Sequence, residues 1–376
     1  MEPKRRAAII KAVGDQCNLR CTYCFYHGLN QKTPKVLKLE LLERFFEHYF
    51  SIFSGEMSFV WHGGEPLLLG IGYYEAALAL HEKYRKNGDV VVNMIQTNAT
   101  LITDEWAKFF SKHNFRVGVS IDGTREKHNS QRPNAGGRGS FDDVMRGIEI
   151  LRRNGISPGV IQTVLRSGVS TLADDFALFV DEEGLRSLAI NFFMDGSSQS
   201  NELSAESVRN EDVVEAHSIL LDEWLKRDSA NLSVREIENV IAGVSGHRAK
   251  NCSFNGSCAC YFCLDADGLV WPCDRLSSDK KHLLGDLKEE GLLEILNGPA
   301  SLAHAACAET VTEDCVRCEW RASCNNGCTA MRDETTGKYV YCKARLEIFE
   351  TVHDLLSSSN QNGHVPTDMS AGGTLP

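Results

Sequence analysis

Apolar and amphipathic segments alternate through the first half of the chain. Six short apolar segments, from RAAIIKAV to SLAINFF, have the character of buried strands. Between them, stretches such as LELLERFFEHYFSIF repeat apolar residues at helical spacing, and several of these stretches end at glycine. Strands that alternate with helices predict a parallel sheet with right-handed crossovers. Six β–α units are too few for an eight-fold barrel, so we predict an α/β fold with a partial (β/α)6 TIM-like barrel.

The second half of the chain has a different pattern. Residues 195–212 are polar and predict a surface loop, and helical stretches follow near 213–227 and 234–243. A cysteine-rich segment comes next, and the sequence from Ser357 onward is rich in Ser, Gly and Asn. We therefore predict a barrel over residues 1–232, a cysteine-rich, cluster-binding domain over 233–356 and a disordered tail over 357–376.

Composition and charge exclude several classes of protein. Hydrophobic residues make up 42% of the chain and charged residues 24%, which is typical of a globular protein. The formal net charge is −11, which argues against nucleic acid as the main partner. No apolar run approaches the length of a membrane span, and the basic N-terminus lacks the apolar run of a signal peptide. We expect a cytoplasmic protein that binds neither nucleic acid nor membranes.

The cysteines are the feature that this composition does not explain. There are 14 of them, and in a reducing compartment such residues serve metal binding or catalysis more often than disulfides. They form three groups separated by long intervals, with Cys307 apart from the rest. The groups are Cys17, Cys21 and Cys24; Cys252, Cys258, Cys260, Cys263 and Cys273; and Cys315, Cys318, Cys324, Cys328 and Cys342.

The first group follows the first predicted strand, at the end where α/β folds gather their ligands. Three thiolates can hold three irons of a [4Fe–4S] cluster and leave the fourth iron without a protein ligand. A substrate or cofactor binds at such an open coordination position. A structural zinc knuckle is the alternative, although zinc sites usually contain C-x2-C pairs.

The segment CNLRCTYCFY resembles the cluster motif of the radical S-adenosylmethionine (radical SAM) enzymes. WHGGEP, IQTNAT and VSIDG, which end the next three strands, also resemble elements of that family. The resemblance implies that SAM binds the open iron and that two glycines and Glu65 contact its methionyl amine. Either Arg132 or Arg138 would pair with the SAM carboxylate. The implied SAM contacts are Tyr23, Gly63, Gly64, Glu65, Gln96, Asn98, Ser120, Asp122 and Arg132.

The C-terminal cysteines resemble the SPASM extension of radical SAM enzymes, which carries two auxiliary [4Fe–4S] clusters. The resemblance implies one cluster on Cys252, Cys258, Cys273 and Cys328, and another on Cys315, Cys318, Cys324 and Cys342. A pair of zinc ribbons is the alternative. For the remaining Cys260, Cys263 and Cys307 we expect buried free thiols, although Cys260 or Cys263 could replace a neighbouring ligand.

The resemblance also implies a mechanism. One electron, delivered by a donor such as flavodoxin or ferredoxin, cleaves SAM to a 5′-deoxyadenosyl radical, which removes a hydrogen atom from the substrate. The auxiliary clusters would accept the electron of the product radical. Asp274, directly after Cys273, resembles a proposed general base and would take the proton.

Two substrates compete under this resemblance. HGGEPLLLG and QTNATLI favour a maturase that crosslinks a ribosomally made precursor peptide, as does His62 where sulfatase maturases have Gln. FYH after the first cluster motif, the spacing of Cys252 and Cys258, and Asp274 favour an anaerobic sulfatase maturase, which oxidises Cys or Ser to formylglycine. We expect the crosslinking maturase. A zinc-binding scaffold without redox chemistry is the alternative of a different class.

Substrate recognition is also open at this stage. The first predicted strand begins by about residue 7, which leaves no room before it for a separate leader-peptide recognition domain. We therefore expect the precursor peptide or protein to bind between the barrel and the cysteine-rich domain, or through another chain.

Overall fold

The computed structural model describes residues 7–28, 35–195, 204–227, 229–277 and 279–361, and the structural statements below refer to these residues. A single mixed sheet of 10 strands forms the centre of the fold. Its strands are β1 Ala7–Lys11, β2 Glu56–Trp61, β3 Val90–Thr97, β4 Arg116–Ser120, β5 Gly159–Val164, β6 Ser187–Phe192, β7 Ser233–Val234, β8 Tyr261–Asp265, β9 Leu269–Trp271 and β10 Gly285–Asp286.

Helices cover the sheet and connect its strands. The barrel helices are α1 Leu39–Ile52, α2 Ile71–Tyr84, α3 Asp104–Lys112, α4 Arg125–Gln131, α5 Phe141–Arg153, α6 Leu172–Ala177, α7 Asn210–Leu225 and α8 Arg235–Val244. The C-terminal helices are α9 Cys252–Asn255, α10 Leu292–Asn297, α11 Pro299–Glu309, α12 Glu313–Val316, α13 Arg321–Cys324 and α14 Cys342–Gln361.

The first six strands are parallel and follow one another in chain order. This confirms the predicted α/β fold, a partial barrel that stays open between β7 and β10. All carboxyl ends of these strands lie at one rim, so the loops after them meet there. Of the predicted 195–212 loop, residues 196–203 lie outside the described part of the chain, and α7 already begins at Asn210.

The cysteine-rich segment extends the barrel sheet. β8 pairs in parallel with β1, from Ala7 opposite Tyr261 to Lys11 opposite Asp265. β9 and β10 then add antiparallel strands beyond β8. The segment after β9 reaches the end of β1 through side chains: Lys11 Nζ donates to Ser277 Oγ at 2.9 Å and lies 3.7 Å from Asp274, although the sequence separates these residues by more than 200 positions.

One hydrophobic core joins the two halves. Phe45 and Tyr49 on one face of α1 pack against Phe59 of β2 and Phe262 of β8, with ring centroids 5.0 to 6.2 Å apart. All four side chains are fully buried. Burial of aromatic side chains on this scale fixes β8 against the barrel, so the C-terminal segment is held in place by apolar packing as well as by its cysteines.

The C-terminal helix differs from its predicted end. α14 runs to Gln361, so the predicted start of a disordered tail at Ser357 is wrong, and residues 362–376 lie outside the described part of the chain. No helix in the described part is long and apolar enough to cross a membrane.

Candidate active site

The first cysteine group lies in the loop that follows β1, as predicted. A second segment holds this loop in place: the amide of Arg20 donates to Pro133 O at 2.7 Å, and that of Thr22 donates to Gln131 O at 2.9 Å. Leu19 also forms an isolated bridge with Asn134. The cluster loop is therefore paired with the chain that follows α4, which fixes where the three thiols point.

The three thiols lie in one another's electrostatic range. Burial raises the pKa of Cys17 to about 12, with smaller contributions from Glu65, Cys21 and Cys24. Burial likewise raises the pKa of Cys21 to about 11. Desolvated thiols that raise one another's pKa form a set that a cation can stabilise as thiolates, because a metal ligand must be deprotonated. This donor set suits iron of an iron–sulfur cluster.

The glycines of WHGGEP pack against the start of the cluster loop. A Cβ on Gly64 would lie 1.9 Å from Gln16 O, and one on Gly63, whose φ is +112°, would lie 2.7 Å from Gly14 O. The amides of Gly64 and Glu65 donate to Gly14 O and Gln16 O at 2.8 and 2.7 Å. The structure thus gives both glycines a role that the sequence did not suggest, which is direct backbone contact with the residues before Cys17.

Glu65 is fully buried and bonded to its own chain. Its carboxylate accepts hydrogen bonds from Leu67 N at 3.0 Å, Thr97 Oγ1 at 2.7 Å and Asn98 N at 2.8 Å. Burial nevertheless raises the pKa of Glu65 to about 7. Three hydrogen bonds thus tie this carboxylate to the end of β3 and to the turn that follows Glu65.

The side chains at the ends of β3 and β4 form a polar set beside the cluster loop. Asn98 Nδ2 lies 3.7 Å from Cys17 Sγ and donates to Asn18 Oδ1 at 2.9 Å. Gln96 donates through Nε2 to Ser120 Oγ at 2.9 Å. The other atom of that amide, Gln96 Oε1, is buried and has no hydrogen-bond partner in the described part of the chain. A buried acceptor of this kind suits a bound donor such as the amine or a ribose hydroxyl of SAM.

Tyr23, Asp122 and Arg132 bond to one another. Asp122 is fully buried and accepts from Tyr23 Oη at 2.6 Å, Arg132 Nε at 2.7 Å, Arg132 Nη2 at 3.0 Å and Thr163 N at 2.9 Å. These four hydrogen bonds join Tyr23 of the cluster motif to Arg132 and to β5 through one buried carboxylate. Arg138 is not part of this network: its side chain is 74% exposed and forms an ion pair with Asp143.

The auxiliary cysteines influence one another's pKa in two sets. Cys328 and Cys258 each raise the pKa of Cys252 and of Cys273, after the larger effect of burial. In the other group, Cys315, Cys318 and Cys324 all raise the pKa of Cys342, again after burial. Cys328 therefore lies close enough to Cys252 and Cys273 to affect the pKa of both thiols.

The three leftover cysteines have different environments. Cys263, on β8, is fully buried, as expected. Cys260 is half-buried and Cys307 is exposed on α11, so the expectation of buried thiols is wrong for these two. Burial raises the pKa of Cys263 far above its usual value, with Asp274 and Asp265 adding to it and Lys11 opposing it.

Asp274 lies where the barrel meets the cysteine-rich segment. Its carboxylate accepts a hydrogen bond from Tyr26 Oη and lies 3.7 Å from Lys11 Nζ and 3.9 Å from His62 Nδ1. Burial would raise the pKa of Asp274, but His62, Lys11 and the hydrogen bond from Tyr26 outweigh it and hold the pKa below its usual value. The carboxylate is therefore ionised at neutral pH and able to accept a proton.

Sequence reasoning named Asp274 but missed the residues around it. Lys11 ends β1, is buried, and donates to Ser277 Oγ at 2.9 Å, while its Nζ lies 4.3 Å from the centre of the Tyr26 ring. A lysine at the end of an otherwise apolar strand was the available signal, since a charged side chain in such a place requires a partner.

Comparison with known proteins agrees with this geometry. Residues 12–173 match the model of the radical SAM superfamily, and residues 252–329 match that of the SPASM iron–sulfur cluster-binding domain. A cysteine-type anaerobic sulfatase-maturating enzyme of Clostridium novyi is 31% identical over 92% of this chain and 95% of its own. A serine-type enzyme of that name from Bacteroides thetaiotaomicron is 28% identical over 96% and 93%. The solved structure "Native anSMEcpe with bound AdoMet and Cp18Cys peptide" matches with a TM-score of 0.86 and 26% identity, over 95% of this chain and 99% of that one.

The chain therefore belongs to the radical SAM superfamily, in the SPASM-bearing family of the anaerobic sulfatase-maturating enzymes. It is an enzyme whose cofactors are SAM and [4Fe–4S] clusters. The expectation of a crosslinking maturase of ribosomally made peptides is wrong, because relatives of 28 to 31% identity over nearly the whole chain are sulfatase-maturating enzymes. The alternative of a zinc-binding scaffold without redox chemistry is also wrong, because the chain belongs to a superfamily of radical SAM enzymes. HGGEPLLLG, QTNATLI and His62 favoured the wrong substrate class, because short segments around shared motifs differ little between members of the superfamily.

Proposed function

We propose that this enzyme oxidises a Cys or Ser side chain of a sulfatase to formylglycine. The observation that carries the proposal is the placement of Asp274: an ionised carboxylate held by Tyr26 and Lys11 of the barrel, directly beside the auxiliary ligand Cys273. The similarity to sulfatase-maturating enzymes over most of the chain supports the same substrate class. The substrate would bind as a peptide, since a similar structure holds one.

The cysteine groups would divide the cofactors among them. Cys17, Cys21 and Cys24 would hold the SAM-binding cluster, with Gln96 Oε1 and the end of β3 offering polar contacts to SAM. Tyr23, Asp122 and Arg132 would act indirectly, by fixing the cluster loop. Auxiliary clusters would occupy the Cys252, Cys258, Cys273 and Cys328 group and the Cys315, Cys318, Cys324 and Cys342 group. We also propose a domain boundary near residue 232. The strands that follow it, β7 and β8, join the two edges of the barrel sheet by pairing with β6 and β1.

The chemistry follows from the proton and electron count. SAM and its cluster, when bound and reduced by an electron donor such as flavodoxin or ferredoxin, supply the radical that removes one hydrogen atom from the substrate Cβ. The substrate must then lose one electron, which an auxiliary cluster is placed to take, and one proton from its thiol or hydroxyl. Asp274 would accept that proton, so that a C=S or C=O bond forms. Water then replaces sulfur in the thioaldehyde, and hydrogen sulfide leaves.

Two peptides of sulfatase-type sequence test the proposal, identical except for Cys or Ser at the target position. Each is incubated anaerobically with iron-replete enzyme, SAM and reductant. We expect an aldehyde in at least one peptide, trapped by a hydrazine reagent and located by mass spectrometry. Formation of 5′-deoxyadenosine without an aldehyde in either peptide would refute the substrate class, and a crosslinked product would do so as well.

Asp274→Asn provides the mechanistic test, with Asp279→Asn as the matched control. Asp279 lies five residues further along and its side chain is 45% exposed. We expect Asp274→Asn to lower the yield of aldehyde per 5′-deoxyadenosine, while Asp279→Asn retains it. Equal yields in both variants would show that Asp274 is not the proton acceptor.

A further inference from the structure

His304 lies against the first auxiliary group, although no cysteine motif includes it. Its Nε2 atom lies 3.5 Å from Cys258 Sγ, and Thr329 Oγ1 lies 3.0 Å from the same sulfur. The two side chains come from α11 and from the turn after Cys328, which are two separate segments that both follow Cys258 in the chain. Two polar hydrogens can therefore point at one ligand sulfur.

The structure holds His304 firmly in this position. α11 begins at Pro299 and packs against the turn at Ser257–Cys260. At its other end, Arg332 donates to Cys307 O at 2.7 Å and to Ala308 O at 3.2 Å. A helix fixed at both ends keeps the imidazole next to Cys258 without any contribution from a cluster.

The direction of these hydrogen bonds follows from the chemistry of the sulfur. A free thiol can donate or accept, but a thiolate that ligates iron has lost its proton and can only accept. Both His304, protonated at Nε2, and Thr329 must then donate. Hydrogen bonds to ligand sulfurs stabilise the reduced cluster, which carries more negative charge, and so raise its reduction potential.

We propose that His304, together with Thr329, sets the reduction potential of the first auxiliary cluster and makes it the better electron acceptor. His304 is a positioning residue in this proposal, because it acts through the Cys258 sulfur and touches no substrate. The inference rests on the proposed ligation of this cluster by Cys252, Cys258, Cys273 and Cys328. It does not depend on the identity of the peptide substrate.

The test is a redox titration followed by electron paramagnetic resonance. The full-length protein is used with Cys17, Cys21 and Cys24 replaced by Ala, so that only the auxiliary clusters contribute. His304→Ala and Thr329→Val remove one donor each, whereas His304→Gln and Thr329→Ser retain an N–H or O–H. Thr312→Val is the matched control, because Thr312 Oγ1 lies 3.3 Å from Cys315 Sγ in the other group.

We expect His304→Ala and Thr329→Val each to lower the ratio of reduced to oxidised first cluster by about tenfold at a fixed potential, a shift of about 59 mV for one electron. His304→Gln and Thr329→Ser should stay near the parent protein, and Thr312→Val should move the second cluster instead. Unchanged midpoints in His304→Ala and Thr329→Val would overturn the proposal. Loss of the cluster's iron in both His304 variants would also overturn it, since His304 would then be a ligand. No peptide is present, so a failed formylglycine assay would not affect this result.

Discussion

The phenol of Tyr26 donates a hydrogen bond to the carboxylate of Asp274, although 248 residues separate them in the chain. The contact joins the turn after the first cluster motif to the residue after an auxiliary cysteine. β8 and β9 attach the C-terminal segment to β1, and the segment after β9 reaches the Lys11 side chain at the end of β1, so the two parts of the chain meet. The proposed site of radical formation and the proposed proton acceptor are thus linked by one hydrogen bond.

Removal of this hydrogen bond should affect product formation more than radical formation. A hydrogen bond to a charged acceptor contributes roughly 1.5–3 kcal/mol, so Tyr26→Phe should lower aldehyde formation by about ten- to a hundredfold. The measurement is the yield of aldehyde per 5′-deoxyadenosine with the peptide that reacts. Tyr73→Phe is the control, because that phenol donates to Leu37 O at 2.9 Å, outside the Asp274 group. The same loss in both variants would indicate a general packing effect.

Gly64 should not tolerate a side chain. The Cβ of Gly64→Ala would lie 1.9 Å from Gln16 O, a backbone atom that cannot move without displacing the cluster loop. We expect a loss of stability of about 3 kcal/mol or more, together with a loss of iron from the first cluster. Gly72→Ala in α2 has no atom within 4 Å of the new Cβ and should be neutral or slightly stabilising. Thermal unfolding measures the stability of the two variants, and iron analysis measures their cluster content. Equal values in Gly64→Ala and Gly72→Ala would contradict this prediction.

Cys328 should belong to the first auxiliary cluster even though its neighbours in sequence belong to the second. Its effect on the pKa of Cys252 and Cys273 supports this proposal. Cys328→Ala should therefore lower the iron content by about four atoms per chain and weaken the packing of α9, which carries Cys252. Cys307→Ala, at an exposed position, should retain all the iron. Equal iron contents in the two variants would contradict the assignment.

The buried His128 should make stability fall in acid. It accepts from Asp122 N through Nδ1 at 3.2 Å and its Nε2 lies 2.9 Å from Ser140 Oγ. Burial, followed by the charge of Arg132, lowers the pKa of His128 from 6.5 to about 4. The unfolded state therefore binds a proton that the folded state does not, and stability is lost as the pH falls below about 6.5.

Between about pH 8 and about pH 5.5 the loss from this group should be about 1–2 kcal/mol. Urea unfolding at the two pH values measures it, and His128→Gln should reduce the difference. His353→Gln, whose parent side chain is 54% exposed, is the control and should leave the difference unchanged. An equal pH dependence in wild type and His128→Gln would rule out this group as its source.

Local pattern was enough for the fold class and for the grouping of the cysteines along the chain. The β–α rhythm is read from consecutive residues, and the spacing in CNLRCTYC places three thiols in one loop whatever the rest of the chain does. The division of the C-terminal cysteines into two auxiliary groups came from the resemblance to the SPASM extension and stays a prediction. Substrate class was not accessible in this way, because short strings around shared motifs differ little between enzymes that act on different peptides.

The sequence by itself determined the open α/β barrel, because the β–α rhythm depends on periodicity along continuous segments, and it determined the family through the resemblance carried by CNLRCTYCFY and the C-terminal cysteines. Only the tertiary structure decided which residues meet. It showed that β8 extends the barrel sheet, that Lys11 and Tyr26 flank Asp274, and that His304 lies on Cys258. It also showed that Glu65 and Asp122 are buried and accept hydrogen bonds from other parts of the chain, because burial and hydrogen-bond partners are properties of packing that no local pattern records.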